Sequence, residues 1–342
     1  MNTIAVQDLA GASRRIIQQG SKSFAAAARM FDRETRDNAY MLYAWCRYCD
    51  DQIDNQELGF GAKPQSEEST RMMLSALIEK TEAAIDDRPS DEPVFEALRY
   101  VLRRNEIPGR YPLELLEGFA MDARGADYPT LEDTLLYCYY VAGVVGVMMA
   151  YIMGVRKPEV LQRAVDLGIA FQLTNIARDV GEDAELGRIY LPGDWLAGAG
   201  IPSGEIMAPR HASSLRVVVD RLLNEAERYY DSANEGLRAL DFRSAWAVAA
   251  ARAVYREIGQ VVHERGEDAW RERVVVSKPR KLRGLANGML AALRSSLFDR
   301  YTDAERRDES LWSPVLEPTQ QCRKSPLVVT ANRREGAPPT PH

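Results

Sequence analysis

Histidine and cysteine are scarce, at three and four of 342 residues. His211, His263 and His342 stand far apart and no Glu-x-x-His pair occurs, so a thiolate or imidazole metal centre, or a di-iron bundle site, has no ligand set. Cys46-x-x-Cys49 is the one suggestive cysteine spacing. It lacks a second pair and lies in a helical pattern with no strand before it, so it reads as incidental. No signal peptide is recognisable, and with so few cysteines a reducing, cytoplasmic setting is expected. Alternating strand patterns, internal repeats and heptad runs are missing. Gly198-Ala-Gly200 follows no strand and is therefore no dinucleotide fingerprint. A formal net charge of −6 argues against a nucleic-acid-binding surface.

What is present is helix after helix. Apolar residues recur at helical spacing over 5–31 (broken at Gly20-Ser21-Lys22-Ser23-Phe24), 36–57, 69–87, 92–105, 111–124, 160–184, 212–239, 243–265 and roughly 280–300. The expected fold class is all-α, a single domain over 1–305. From about 306 to 342 the chain turns rich in Pro, Arg and Ser and loses periodicity, which predicts a disordered tail. Leu135 to Val155 contains no charged residue and is long enough to cross a membrane. It is solitary in an amphipathic series, so it reads as the buried central helix, apolar all round. Ala142, Gly143 and Gly146 would keep one side of it thin, for a long apolar ligand or for a closely packed helix.

Two polar stripes carry the chemistry. On a helix, Gln172, Asn175, Asp179 and Asp183 fall at i, i+3, i+7 and i+11, flanked by Leu173, Ile176, Ala177 and Val180. Tyr43, Arg47, Asp50 and Asp54 fall at i, i+4, i+7 and i+11 and form a second stripe. A lone Asp-x-x-x-Asp pair usually marks a solvated face. Here the carboxylates lie in phase with amides or Arg inside segments that otherwise read as buried, and buried carboxylates are costly unless paired or bound to metal. Oxygen-only ligands select Mg²⁺ or Mn²⁺, which complete their shells with water and phosphate, so a metal-bound diphosphate is the expected ligand. The helix break at Gly20–Phe24 offers Ser and Lys to phosphate oxygens, although an ordinary N-cap explains it equally well.

Taken together, Gly20-Ser-Lys-Ser-Phe24, Tyr43-Ala-Trp-Cys-Arg47, Asp50-Asp-Gln-Ile-Asp54, Tyr137-Cys-Tyr-Tyr-Val-Ala-Gly-Val-Val-Gly146, Gln172 through Asp183 and Arg188-Ile-Tyr-Leu-Pro192 resemble the head-to-head prenyl synthases, the squalene and phytoene synthase family, and its bacterial phytoene-forming members in particular. The resemblance implies an isoprenoid-synthase helical fold around a central cavity, and a Mg²⁺ or Mn²⁺ requirement. It also implies condensation of two geranylgeranyl diphosphates to phytoene through prephytoene diphosphate, in carotenoid biosynthesis. Because the reaction ends in deprotonation, no nicotinamide is expected. Carried over by motif, Asp50, Asp54, Asp179 and Asp183 would be metal carboxylates, with Asn175 and Gln172 assisting. Ser21, Lys22, Phe24, Arg47, Val141, Arg188 and Arg273 would contact substrate. Tyr43, Tyr137 and Tyr255 would be cavity tyrosines acting with Arg47 in catalysis. The match at Arg273 is looser by one residue, so Arg271 stays in play. Asp51 makes the first motif also read Asp-Asp-x-x-Asp, the chain-elongating form.

Substrates and product of that kind are lipids, which predicts peripheral association with the inner membrane face and contact with other carotenoid-pathway enzymes. The rival readings are a C30 (dehydro)squalene synthase, head-to-tail elongation, and a non-catalytic isoprenoid-binding helical protein.

Overall fold

The computed structural model describes residues 3–20, 22–54, 66–272, 274–297 and 305–314, and among them the regular structure is entirely helical. In chain order the helices are α1 (Thr3–Gly20), α2 (Lys22–Ala28), α3 (Arg33–Asp54), α4 (Glu67–Ile85), α5 (Pro93–Arg104), α6 (Arg110–Ala123), α7 (Leu131–Cys138), α8 (Val144–Ile152), α9 (Pro158–Glu185), α10 (Gly193–Gly198), α11 (Ala212–Asn234), α12 (Phe242–Arg265) and α13 (Lys278–Leu297).

The helix starts follow local chemistry. Thr130 and Asp133 form a reciprocal capping box at α7, and the Asp241 carboxylate accepts from the backbone of Arg243 and Ser244 at α12. Pro93 and Pro158 open α5 and α9, where a missing N–H costs nothing. At the far end of α12 the chain turns through Gly266 at φ +58°, in the left-handed region.

The α9 helix is the axle of the bundle. It packs against α8, α11, α12 and the turn that joins α7 to α8. Leu161, Val165, Ile169, Leu173, Ile176 and Val180 bury its apolar sides, so only the polar stripe is left to face a cavity. The charge-free segment is indeed an interior element. It lies within the helical run Leu131–Ile152, whose first turn carries Glu132 and Asp133, and a π-turn at Tyr139–Gly143 inserts an extra residue between α7 and α8. Its glycines serve close helix approach. A Cβ on Gly146 would lie 2.3 Å from the Ala164 carbonyl oxygen of α9, and one on Gly168 of α9 would lie 2.4 Å from that of Ala142. The thin side expected from Ala142, Gly143 and Gly146 is thus taken up largely by α9.

The chain beyond 305 departs from expectation. Residues 305–314, read in sequence as the start of a disordered tail, lie against the bundle. Arg307 reaches the fully buried Asp166 of α9, and Leu311 is itself buried. One arginine facing a buried carboxylate replaces the apolar periodicity that helical pattern reading relies on. Residues 315–342 lie outside those described.

Candidate active site

A cavity of about 480 Å³ runs through the bundle. Its walls are apolar: Phe31 and Leu42, Val141 and Val145 on the central segment, Met149 and Phe171. At one end it becomes polar. Tyr43 and Arg47 of α3, Gln172, Asn175 and Arg178 of α9, and Tyr255 of α12 all line it. The upper rungs of both sequence stripes therefore border one chamber, and Asp50 and Asp179 follow one turn further along the same two helices.

On α3, Arg47 Nη1 donates to Asp50 Oδ2 at 2.6 Å and stands 3.9 Å from Asp51 Oδ1. Burial disfavours the guanidinium charge, but the Asp50 carboxylate overcomes it and holds Arg47 protonated. Tyr43 is pushed up by burial, against the pull of Arg47. Gly20 at the end of α1 closes over it; a Cβ there would meet the Tyr43 hydroxyl at 2.7 Å. Asp54 terminates α3, but its side chain lies outside the described residues, as do all of Ser21 and Arg273 and the side chains of Lys22 and Phe24.

On α9, Asn175 Nδ2 donates to Gln172 Oε1 at 3.3 Å, and Arg178 Nε donates to Asp179 Oδ1 at 2.7 Å in a two-pronged pair. Asp183 is pushed up to about 8, first by burial and then by the Asp179 carboxylate; Asp122 and Glu182 add to this, and Arg188 opposes it. Tyr255 sits where the stripes meet. It stacks on Phe171 with ring centroids 4.2 Å apart, and burial raises it while Arg178 and Arg47 pull it down.

Tyr137 is not on the chamber wall. It is buried in a separate cluster, where its hydroxyl donates to Asp122 Oδ2 at 3.0 Å and its ring stacks on Tyr190 at 4.7 Å. Tyr190 Oη donates to the other Asp122 oxygen at 2.8 Å. Arg188 joins this group. Its backbone N–H caps the end of α9 on the Asp183 carbonyl at 2.8 Å, and its side chain borders an outer cleft with Asp122, Tyr128 and Tyr190. Arg271 is exposed and pairs with Asp268 at 2.8 Å, which sets it apart from the lining of the chamber. Cys46 lines the chamber, and burial pushes its thiol up to about 12, so it acts as a small apolar side chain.

Sequence reasoning missed Arg178 and Asp122. Arg178 is out of phase with the stripe it serves; its adjacency to Asp179 was the available signal. Asp122 lies in the last turn of α6 with no base four residues away, and nothing local gave it a role until Tyr137 and Tyr190 converged on it.

The donor set suits a hard divalent cation. The Oδ1 atom of Asn175 is buried on the stripe with no hydrogen-bond partner, and burial, then the neighbouring Asp179 carboxylate, makes Asp183 reluctant to ionise despite Arg188, a penalty that a bound cation would relieve. Among the described residues no three His, Cys, Asp or Glu side chains converge on one point. Bound Mg²⁺ draws one or two carboxylates from the protein and the rest of its shell from water and phosphate.

The profile of the squalene/phytoene synthase family matches residues 17–280. The 15-cis-phytoene synthase of Pantoea ananas is 48% identical over 297 residues, 87% of this chain and 95% of its own length. The 15-cis-phytoene synthase of Paracoccus sp. (strain N81106 / MBIC 01143) is 48% identical over 292 residues, covering 85% and 94%. Among solved structures, a dehydrosqualene synthase in complex with ligand superposes with a TM-score of 0.74 at 29% identity, over 85% of this chain and 98% of that one.

Proposed function

The chain belongs to the squalene/phytoene synthase family, and from that premise we propose that it joins two geranylgeranyl diphosphates head to head to 15-cis-phytoene. The observation that carries this reading is the chamber itself, apolar along most of its length and bordered at one end by both polar stripes. An allylic diphosphate leaves only when the charge growing on its oxygen is stabilised. Asp50, Asp54, Asn175, Asp179 and Asp183 would hold Mg²⁺ or Mn²⁺, which would supply that stabilisation as a Lewis acid. Arg47 and Arg178 hold Asp50 and Asp179 in place and present guanidinium charge at the same end.

In the first step the C–O bond of one substrate breaks and releases diphosphate. Its C1 alkylates the other substrate's double bond, and loss of a proton closes a cyclopropane. In the second step the remaining C–O bond breaks, the carbon skeleton rearranges, and a second proton leaves to create the central double bond of phytoene. The net yield is one C40 hydrocarbon, two diphosphates and two protons. Apolar walls keep water from trapping the cation, and the Tyr43 and Tyr255 rings offer it their π-faces. Because deprotonation ends the sequence, no nicotinamide takes part.

Mass spectrometry of the product made by purified protein from geranylgeranyl diphosphate and Mg²⁺, with farnesyl diphosphate and NADPH in parallel arms, tests the proposal. A C40 triene formed without NADPH is expected. A C30 hydrocarbon in place of the C40 one, with its central bond reduced by NADPH or not, or a longer linear diphosphate, overturns it.

A further inference from the structure

Eleven large apolar side chains are exposed among the described residues, and five of them stand on α13: Leu282, Met289, Leu290, Leu293 and Leu297. Their spacing of i, i+7, i+8, i+11 and i+15 puts them on one face of the helix. Three of the five are more than half exposed, with Leu282 at 68%. The helix contains Lys278, Arg280, Lys281, Arg283 and Arg294 and no acid, in a chain whose formal net charge is −6. Arg283 and Arg294 border the apolar stripe on one side, with Lys281 round the other.

The opposite face of α13 is fixed. A Cβ on Gly288 would lie 2.6 Å from the Ala250 backbone nitrogen of α12, Trp246 Nε1 donates to the Leu285 carbonyl at 3.2 Å, and Ala292 is fully buried. Arg280 pairs with Glu264 at 2.8 Å, and Arg283 with Glu257 at 3.2 Å. Thus α13 cannot roll its leucines into the core without breaking that seat.

We infer that the outer face of α13 docks the protein on an anionic lipid surface, with the leucines in the acyl boundary and the basic residues among the headgroups. An apolar stripe bordered by positive charge on an otherwise acidic protein is complementary to such a surface. Placement adds a reason. The α12 helix beneath α13 lends Ala247, Val248, Ala251 and Tyr255 to the chamber, so docking here sets the chamber one helix layer from the bilayer. That last point rests on the prenyl-lipid reading above, whereas the face itself does not.

The test is co-sedimentation of the full chain with vesicles of phosphatidylcholine alone and mixed with phosphatidylglycerol; it needs no diphosphate, metal or turnover, so its failure is distinct from failure of the catalytic proposal. Binding to the mixed vesicles is expected, weakened about tenfold or more by high salt and by the double substitution Leu290→Glu/Leu293→Glu, while turnover in detergent stays unchanged. A fluorophore on Leu290→Cys shifts to the blue on binding, a readout that survives if the double variant fails to fold. Three results overturn the inference: no vesicle binding, equal binding by the stripe variant with no blue shift, or a lipid-free dimer that this substitution dissociates.

Discussion

Removing the arginine that latches the C-terminal segment has a calculable cost. Arg307 grips Asp166 with three hydrogen bonds, at 2.7, 2.9 and 3.2 Å, and donates to the carbonyls of Leu311 and Trp312 in its own segment. Asp166 has no exposed surface, and its other partner is the Ser232 hydroxyl at 2.5 Å. Arg307→Ala therefore strands a carboxylate in the interior, a change that costs about 3–5 kcal/mol in general. The arginine is 16% exposed, so water reaches the pair and the lower end of that range applies. With an unfolding entropy of about 2.1 cal/mol/K per residue, a loss of ~3 kcal/mol lowers the melting temperature of a chain this size by roughly 4 °C. Thermal unfolding followed by circular dichroism measures it. Asp166→Leu/Arg307→Met removes both charges together and should recover most of the loss, because the desolvation penalty goes with them. A single variant that melts with the wild type, or a double variant no better than Arg307→Ala, refutes the latch. The loss should also reach the chamber, since Arg163 lines it and donates to the Glu305 carbonyl at 2.5 Å.

Substituting Asp50→Asn or Asp179→Asn should lower kcat by about a hundredfold or more with the fold intact by circular dichroism, because charge stabilisation at the leaving group is lost; full activity in both would refute a metal-carboxylate role for the two stripes. Asp183 keeps its proton in the folded metal-free protein up to about pH 8, whereas the unfolded chain loses it near 4. The raised value means stability is present at low pH and is lost as pH rises through that window, so urea midpoints of the metal-free protein should decline between about pH 4 and 8, and Asp183→Asn should flatten that decline. Gly146→Ala pushes a methyl to 2.3 Å from a backbone oxygen of α9, a clash no side-chain rotation relieves; an equilibrium denaturation midpoint should record at least about 1–3 kcal/mol of destabilisation. Asp122→Ala leaves the Tyr137 and Tyr190 hydroxyls without their acceptor, at about 1–3 kcal/mol each, and Asp122→Asn, which keeps one acceptor, should be milder in the same assay.

Legibility varied with the range of the interaction. Helix positions were readable because apolar spacing and caps such as Thr130 act within a few residues. The in-phase alignment of Gln172, Asn175, Asp179 and Asp183 was readable for the same reason, since one helix fixes it. Tyr137 was readable as a family residue but not as a partner of Asp122, because the two stand fifteen positions apart with a turn between them. The start of the tail was misjudged because a polar segment stripped of periodicity can still be held by one buried ion pair.

What the amino-acid order settled unaided, then, is the helical class, the two acidic stripes and the interior place of the charge-free segment, all consequences of a 3.6-residue period acting locally. Tertiary structure alone decided that the two stripes border one chamber, that Tyr137 faces Asp122 instead of that chamber, that α13 turns its leucines outward, and that Arg307 closes on Asp166. Each depends on how helices far apart in the chain lie across one another, and that is set by the glycine-sized gaps at Gly146, Gly168 and Gly288 and by the whole core packing at once.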